Sequence, residues 1–126
     1  RRLVLGALVH GRESSEQAKQ IDRAYESHQK RARRARELAA TGERIGSVLL
    51  MDNRGHREKA DRTVALLEGQ KRAPVAVFLA GDGRVTVACD AALDLDLCAL
   101  FETGGGMRNR VTLTIDRLDE VLRKLP

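Results

Sequence analysis

The chain has 126 residues, 42% of them hydrophobic, enough for one domain with a modest core. Tyr25, Phe78 and Phe101 are its only aromatics, so the core must be aliphatic and recognition of bases on a platform of stacked rings is largely ruled out. A net charge of +5, carried mostly by arginine, permits a nucleic-acid or phosphate partner without requiring one, and no apolar run approaches the ~20 residues that span a membrane.

In chain order, Arg1-Arg2 stands where Met would, so a fragment or a processed product is expected. Leu3 to Val9 is an apolar run broken by Gly6, too short for its period to separate helix from strand. Ser14 with Gln17 three residues on forms a capping box and marks a helix start. Ala18, Ile21, Tyr25, His28, Ala32, Ala35 and Ala39 then recur at spacings of three and four. They make one stripe of a long helix that runs to about Ala40 and is closed by Gly42. Its alanines suit close packing against a neighbour, and His28 on the same stripe reads as a packed histidine. Lys30, Arg31, Arg33, Arg34 and Arg36 spread over the rest of the circumference. They serve either as a solvated face, favourable to the helix macrodipole, or as a face that contacts nucleic acid or phosphate.

Ser47 to Met51 is a continuous apolar run after a glycine, the pattern of a buried strand, and Asp52-Asn53-Arg54-Gly55 is a polar turn. A helix follows from about Arg57 to Glu68, with Ala60, Val64 and Leu67 on one face and Gly69 as its stop. Pro74 opens a strand from Val75 to Ala80. Gly81-Asp82-Gly83 carries hairpin chemistry, and Arg84 to Cys89 returns as an alternating strand. Asp90 to Phe101, with Leu93, Leu97 and Leu100, reads as a short helix. Val111 to Ile115 is a last strand, and Asp116 can cap a final helix with Leu118, Val121, Leu122 and Leu125 as its apolar positions. The order predicts an α/β fold: a mixed sheet with a β-hairpin and flanking helices on at least one face, preceded by a long connecting helix. Residues 1–42 form the N-terminal segment and basic helix, and 43–126 the α/β domain.

Between the short helix and the last strand lies Gly104-Gly105-Gly106-Met107-Arg108-Asn109-Arg110. Glycines admit a ligand close to the backbone, and successive N–H groups in such a turn can converge on an anion. Gly104, Gly105, Gly106, Arg108, Asn109 and Arg110 are therefore the candidate substrate-binding residues, against the plainer reading of a glycine-capped helix end with two solvated arginines. The expected geometry is a turn at the sheet edge with Arg108 or Arg110 aimed into the same depression. Asp90, Asp94 and Asp96 read as surface charge, because positions two apart on a helix point in different directions. His10, His28 and His56 lack local partners. Cys89 and Cys98 have neither metal nor redox spacing and read as small core residues in a reduced, cytoplasmic setting. No catalytic or metal-binding residue, and no cofactor, is assigned to this chain.

These segments resemble the C-terminal, substrate-binding domain of the DHH phosphoesterase superfamily, which includes RecJ-type exonucleases, oligoribonucleases and cyclic-dinucleotide phosphodiesterases. The resemblance covers about Ser14 to Pro126. The helix from Tyr25 through Arg36 looks like the connecting helix of that family. Ala73 to Phe78 and Gly81 to Val85 look like its hairpin, and Asp96-Leu97 ahead of Gly104-Gly105-Gly106 looks like the approach to its signature loop. The family loop continues with a histidine, and later two alanines and a glycine. Here Met107 and Arg110-Val111-Thr112 stand in those places, so the motif is degenerate. The resemblance implies a RecJ-like protein acting on single-stranded DNA or RNA, with manganese or magnesium held only in a catalytic domain outside this chain. Implied alternatives are a non-catalytic assembly module, like the archaeal RecJ-like proteins that pair with the GINS replication complex, and a tRNA-binding domain related to the alanyl-tRNA synthetase C-terminus. The implied protein partner is a replication complex or the missing catalytic domain, and no membrane is involved.

Overall fold

The computed structural model describes residues 12–103 and 106–125. Its sheet has five strands in sequence order: β1 (Glu43–Ile45), β2 (Val48–Asp52), β3 (Val75–Leu79), β4 (Arg84–Cys89) and β5 (Arg110–Thr114). β2 and β3 are parallel and every other neighbour pair is antiparallel. The parallel step needs a crossover, which α2 (Arg62–Gln70) supplies, whereas β3 and β4 close through the Gly81-Asp82-Gly83 turn. A long helix, α1 (Arg12–Thr41), precedes the sheet, and the short α3 (Leu97–Leu100) precedes β5. A single 3-10 turn (Ile115–Arg117) leads into the final helix, α4 (Leu118–Lys124). The mixed α/β architecture is the one the pattern of the sequence predicts.

Helices cover both faces of the sheet centre, and β3 shows why its sequence is apolar throughout: all five of its residues are buried. On one face Val75, Val77, Val85, Val87, Val111 and Leu113 pack with Leu97 and Phe101 at α3 and with Val121 and Leu125 at the C-terminus. On the other, Leu49, Met51, Ala76 and Phe78 meet Ala35, Leu38 and Ala39 of α1 and Ala65 and Leu66 of α2. β5 lies beyond α1 and α2 and is covered on one face only, so it alternates: Val111 and Leu113 are buried, Thr112 and Thr114 exposed.

Several boundaries move for identifiable reasons. α1 already runs from Arg12, upstream of the Ser14 box, so that box does not mark its start. Among its described side chains, those that pack lie in its C-terminal half: Ala32, Ala35 and Ala39 are buried, while Ile21, Tyr25 and His28 are exposed. His28 is therefore not the packed histidine its place on the stripe suggested. α2 begins at Arg62 because the Asp61 carboxylate accepts the Val64 N–H at 3.2 Å, and residues 57–60 are loop. Its inner face is Ala65, Leu66 and Gly69, and Leu67 is 58% exposed, contrary to the predicted face. Gly69 lies inside the helix rather than stopping it. A Cβ there would come 2.9 Å from Met51 Cε and 3.1 Å from Ala76 Cβ, so the glycine sets how closely α2 approaches the sheet.

The expected helix over Asp90 to Phe101 shrinks to one turn, since Asp90 accepts the Ala92 N–H and Asp96 caps at Ala99. Asp116 does not cap: it sits inside the 3-10 turn, and neither that turn nor α4 has a side-chain cap. β1 was not foreseen. All three of its residues are exposed, and only its pairing with β2 defines it. The reading of Leu3 to Val9 falls outside the described residues. Among the described residues no helix is long and apolar enough to cross a membrane.

Candidate substrate-binding site

The glycine loop sits where β4 ends and β5 begins, Ala88 pairing with Arg110. Gly104 and Gly105 lie outside the described residues. Gly106 has φ +93, and a Cβ on it would stand 2.9 Å from the Arg110 carbonyl oxygen, so both its conformation and its surroundings favour glycine. Met107 and Arg110 exchange backbone hydrogen bonds of 2.8 and 3.1 Å, closing a tight reversal over Arg108 and Asn109. Carbonyls inside the reversal are used: Arg108 accepts the Leu97 N–H, Asn109 accepts the Cys89 N–H, and Met107 accepts the Cys98 thiol. The loop is thus tied to α3 and to β4 by its own backbone.

The side chains diverge. Arg108 bonds the Asp94 carboxylate at 2.9 Å, both groups being well exposed. Arg110 lines a depression of about 430 Å³ with Thr103, Gly106, Met107 and Thr112. Of the two arginines expected beside the glycines, Arg110 shares the hollow with Gly106. Met107 is 62% exposed at its rim.

The approach to the loop is clamped from the C-terminus, which no local pattern in the sequence signals. Arg117 donates to the Phe101 carbonyl at 2.6 Å and Lys124 to the Leu100 carbonyl at 3.1 Å, so two cations meet the carbonyl end of α3. Glu120 holds both cations, at 2.8 Å from Arg117 Nε and 3.0 Å from Lys124 Nζ. The Arg117 hydrogen bond, with that of Lys124, pulls the Glu120 carboxyl down to about 2. Glu102 follows with φ 52, a left-handed backbone on a non-glycine residue immediately before the loop.

Of the arginine-rich part of α1, Lys30, Arg31 and Arg33 are exposed, and Arg36 lines a shallow groove with Val64, Leu67 and Lys71. Arg34 is directed inward. Its Nε donates to Asn53 Oδ1 at 2.9 Å, and Asn53 Nδ2 donates to the Glu58 carbonyl at 3.1 Å. Asn53 is 7% exposed and its N–H reaches the Leu79 carbonyl, so it fixes the loop after β2 against α1 and β3. This junction joins three elements and was missed. The five basic residues therefore do not form one continuous face.

Asp90, Asp94 and Asp96 turn to Ala92, Arg108 and Ala99 respectively. Among the described residues no group of three or more His, Cys, Asp or Glu could hold a metal ion, so these residues do not fit the two-metal centre that the DHH resemblance implies for a catalytic half. His10 is outside the described residues, and His56 bonds only its own loop. Cys89 is buried, and that burial, with the Asp90 charge beside it, pushes its thiol up, away from reactivity. Cys98 is half-buried.

No family model matches the chain, and no curated protein matches it in sequence. In three dimensions it is similar to the pGpG-specific phosphodiesterase PggH from Vibrio cholerae, with a TM-score of 0.55 at 13% sequence identity. The superposition covers 82% of this chain and 40% of that one, so the chain spans well under half of that protein's length. The likeness establishes a shared fold: this sheet and its helices are built as part of a phosphodiesterase is built.

Proposed function

We propose that the chain is a DHH-related domain that grips single-stranded nucleic acid or a short nucleotide product, for a phosphodiesterase whose metal-binding catalytic part lies elsewhere. The observation that carries this reading is the fold shared with part of a phosphodiesterase named for pGpG, together with the Arg110-lined hollow beside Gly106. Binding rests on phosphates rather than bases. Phe78 and Phe101 are 2% and 0% exposed, which leaves Tyr25 as the one ring available for stacking. Exposed Lys30, Arg31, Arg33 and Arg36 add cations along α1. The RecJ-like assignment, the single-stranded polymer and the protein partner in replication belong to this proposal.

The test is a titration of the purified chain with a labelled single-stranded oligonucleotide at several salt concentrations. Binding should weaken with a log–log slope of roughly −0.7 per phosphate neutralised. Arg110→Gln should weaken it, and so should Arg33→Ala. Salt-independent binding would overturn the phosphate reading. The chain alone should release no nucleotide in added manganese, and release that follows the purified chain would refute the division of labour.

A second reading, a non-catalytic assembly module, is favoured by one observation: Ile21 and Tyr25 are 44% and 63% exposed on the unpacked half of α1. No oligonucleotide binding at low salt would leave that reading in place of the first.

A further inference from the structure

At the end of the sheet opposite the glycine loop, where parallel strands β2 and β3 both finish, lies a cleft of about 500 Å³. Carboxyl ends of parallel strands are where ligands of open α/β sheets gather, and the size suits a small organic molecule. Phe78, Ala60 and Ala80 give the cleft apolar surface, and His56, Arg57, Lys59 and Arg62 line it with cations or donors.

Neighbouring cations are committed to close partners, whereas Arg57 and Lys59 have none among the described residues and Arg62 has only a long ion pair. Arg54 is bound through two nitrogens to Asp52, and Arg34 to Asn53. Arg57 and Lys59 have neither hydrogen bond nor ion pair among the described residues. Arg62 Nε is buried without a hydrogen-bond partner, and its Nη2 is 3.9 Å from Asp82, beyond hydrogen-bonding reach. A guanidinium cannot shed its proton, so a buried N–H there calls for an acceptor from outside the protein. Nδ1 of His56 lies 3.1 Å from the Glu58 nitrogen and 3.4 Å from the Glu58 carbonyl oxygen, so the ring is tied to its own loop through that atom. The acids at the cleft are Glu58 and Asp82, and Asp82 is shared with Arg84. The α2 N-terminus contributes little, since Asp61 already occupies it.

We propose that this cleft binds an organic phosphate monoester. A carboxylate offers two oxygens and one charge. A phosphate monoester offers three oxygens and close to two charges, which matches three cationic side chains around one hollow with an apolar wall for the organic group. The site stands apart from the glycine-loop reading and does not depend on it.

The experiment is an amide NMR titration of the full chain with adenosine 5′-monophosphate, run beside ribose 5-phosphate, adenosine and citrate. Both phosphates should shift the amides of Asn53 to Arg62 and Ala80 to Gly83, and adenosine should not. Arg57→Gln with Lys59→Gln should weaken binding at least tenfold at an unchanged melting temperature, both residues being exposed and unpartnered. Arg62→Gln should do the same. Should that variant fail to fold, the Arg57 and Lys59 pair still decides. Arg110→Gln, in the other depression, should leave these shifts intact, so the two sites are read separately. Shifts confined to Thr103 to Thr112, equal binding of adenosine or citrate, unchanged affinity in the double variant, or no shift at millimolar phosphate would each overturn the proposal.

Discussion

The two faces of one sheet are packed by opposite rules. Under α3 and α4 the contacts are made by volume: Phe101, Leu97, Leu79 and a row of valines, all fully buried. Under α1 and α2, around Phe78 and Met51, the helices are brought in by small residues: Ala35, Ala65 and Ala76 are each 0% exposed, and Gly69 lets α2 rest on Met51. The first face loses stability when a side chain is cut back, because removed atoms leave a cavity. The second loses it when a side chain grows, because close helices have nowhere to go. A chain nearly without aromatics can still build two cores, provided one of them gains contact by nearness rather than bulk.

The largest effect expected from this contrast is at Phe101. Phe101→Ala should cost about 3–5 kcal/mol in denaturant unfolding, with the slope of the transition unchanged. On the opposite face, Ala65→Leu should cost about 1–3 kcal/mol although it adds apolar surface. A gain in stability there would break the comparison. At the margin of the first face, Gly106→Ala should cost somewhat more than about 1 kcal/mol, since positive φ and a 2.9 Å approach to Arg110 oppose the new methyl together. A thermal melt reads that loss, and an oligonucleotide titration of the same variant separates it from loss of binding.

The smallest effect concerns the clamp on α3 and depends on pH. Glu120 has a carboxyl held at about 2 in the folded protein, below its ordinary 4.5. A group depressed on folding stabilises the fold above its unfolded value and loses that contribution as pH falls toward the folded one. The melting temperature of the native protein should therefore exceed that of Glu120→Gln at pH 6, and the gap should close between about pH 4.5 and 2. A gap that persists at pH 2 would mean the clamp works through packing instead of charge.

These contrasts also explain what was legible in the sequence. Strands that touch a core announce themselves. Val75 to Leu79 is apolar at every position because both its faces are covered, and Val111 and Leu113 alternate with threonines because only one is. β1 could not be read, since Glu43, Arg44 and Ile45 bury nothing and are held by pairing with β2. Alanine stripes give direction poorly. The stripe of α1 is periodic from Ala18 to Ala39, yet only its last part finds a neighbour, and on α2 small residues outrank Leu67 for the inner face. The glycine loop was conspicuous as composition, but its two arginines were separable only once Asp94 came near Arg108. The Arg34–Asn53 bond and the reach of Arg117 and Lys124 to the carbonyls of Phe101 and Leu100 join residues far apart in the chain, and no local spacing encodes those links, although Glu120 stands three and four residues from its two cations.

The half-packed long helix has a further consequence, in how it melts. A free helix must form its first turn unaided, and that nucleus is costly. Here the turns around Ala35 and Leu38 are fixed by the sheet, so the stretch before them extends an existing helix and needs no nucleus of its own. With residues 19–31 exposed, that extension has no cooperative partner among the described residues. It should unzip from the N-terminal end, turn by turn, as temperature rises, while the sheet is still intact. Far-ultraviolet circular dichroism would then slope well before the main transition, and amide exchange would be graded along a single helix.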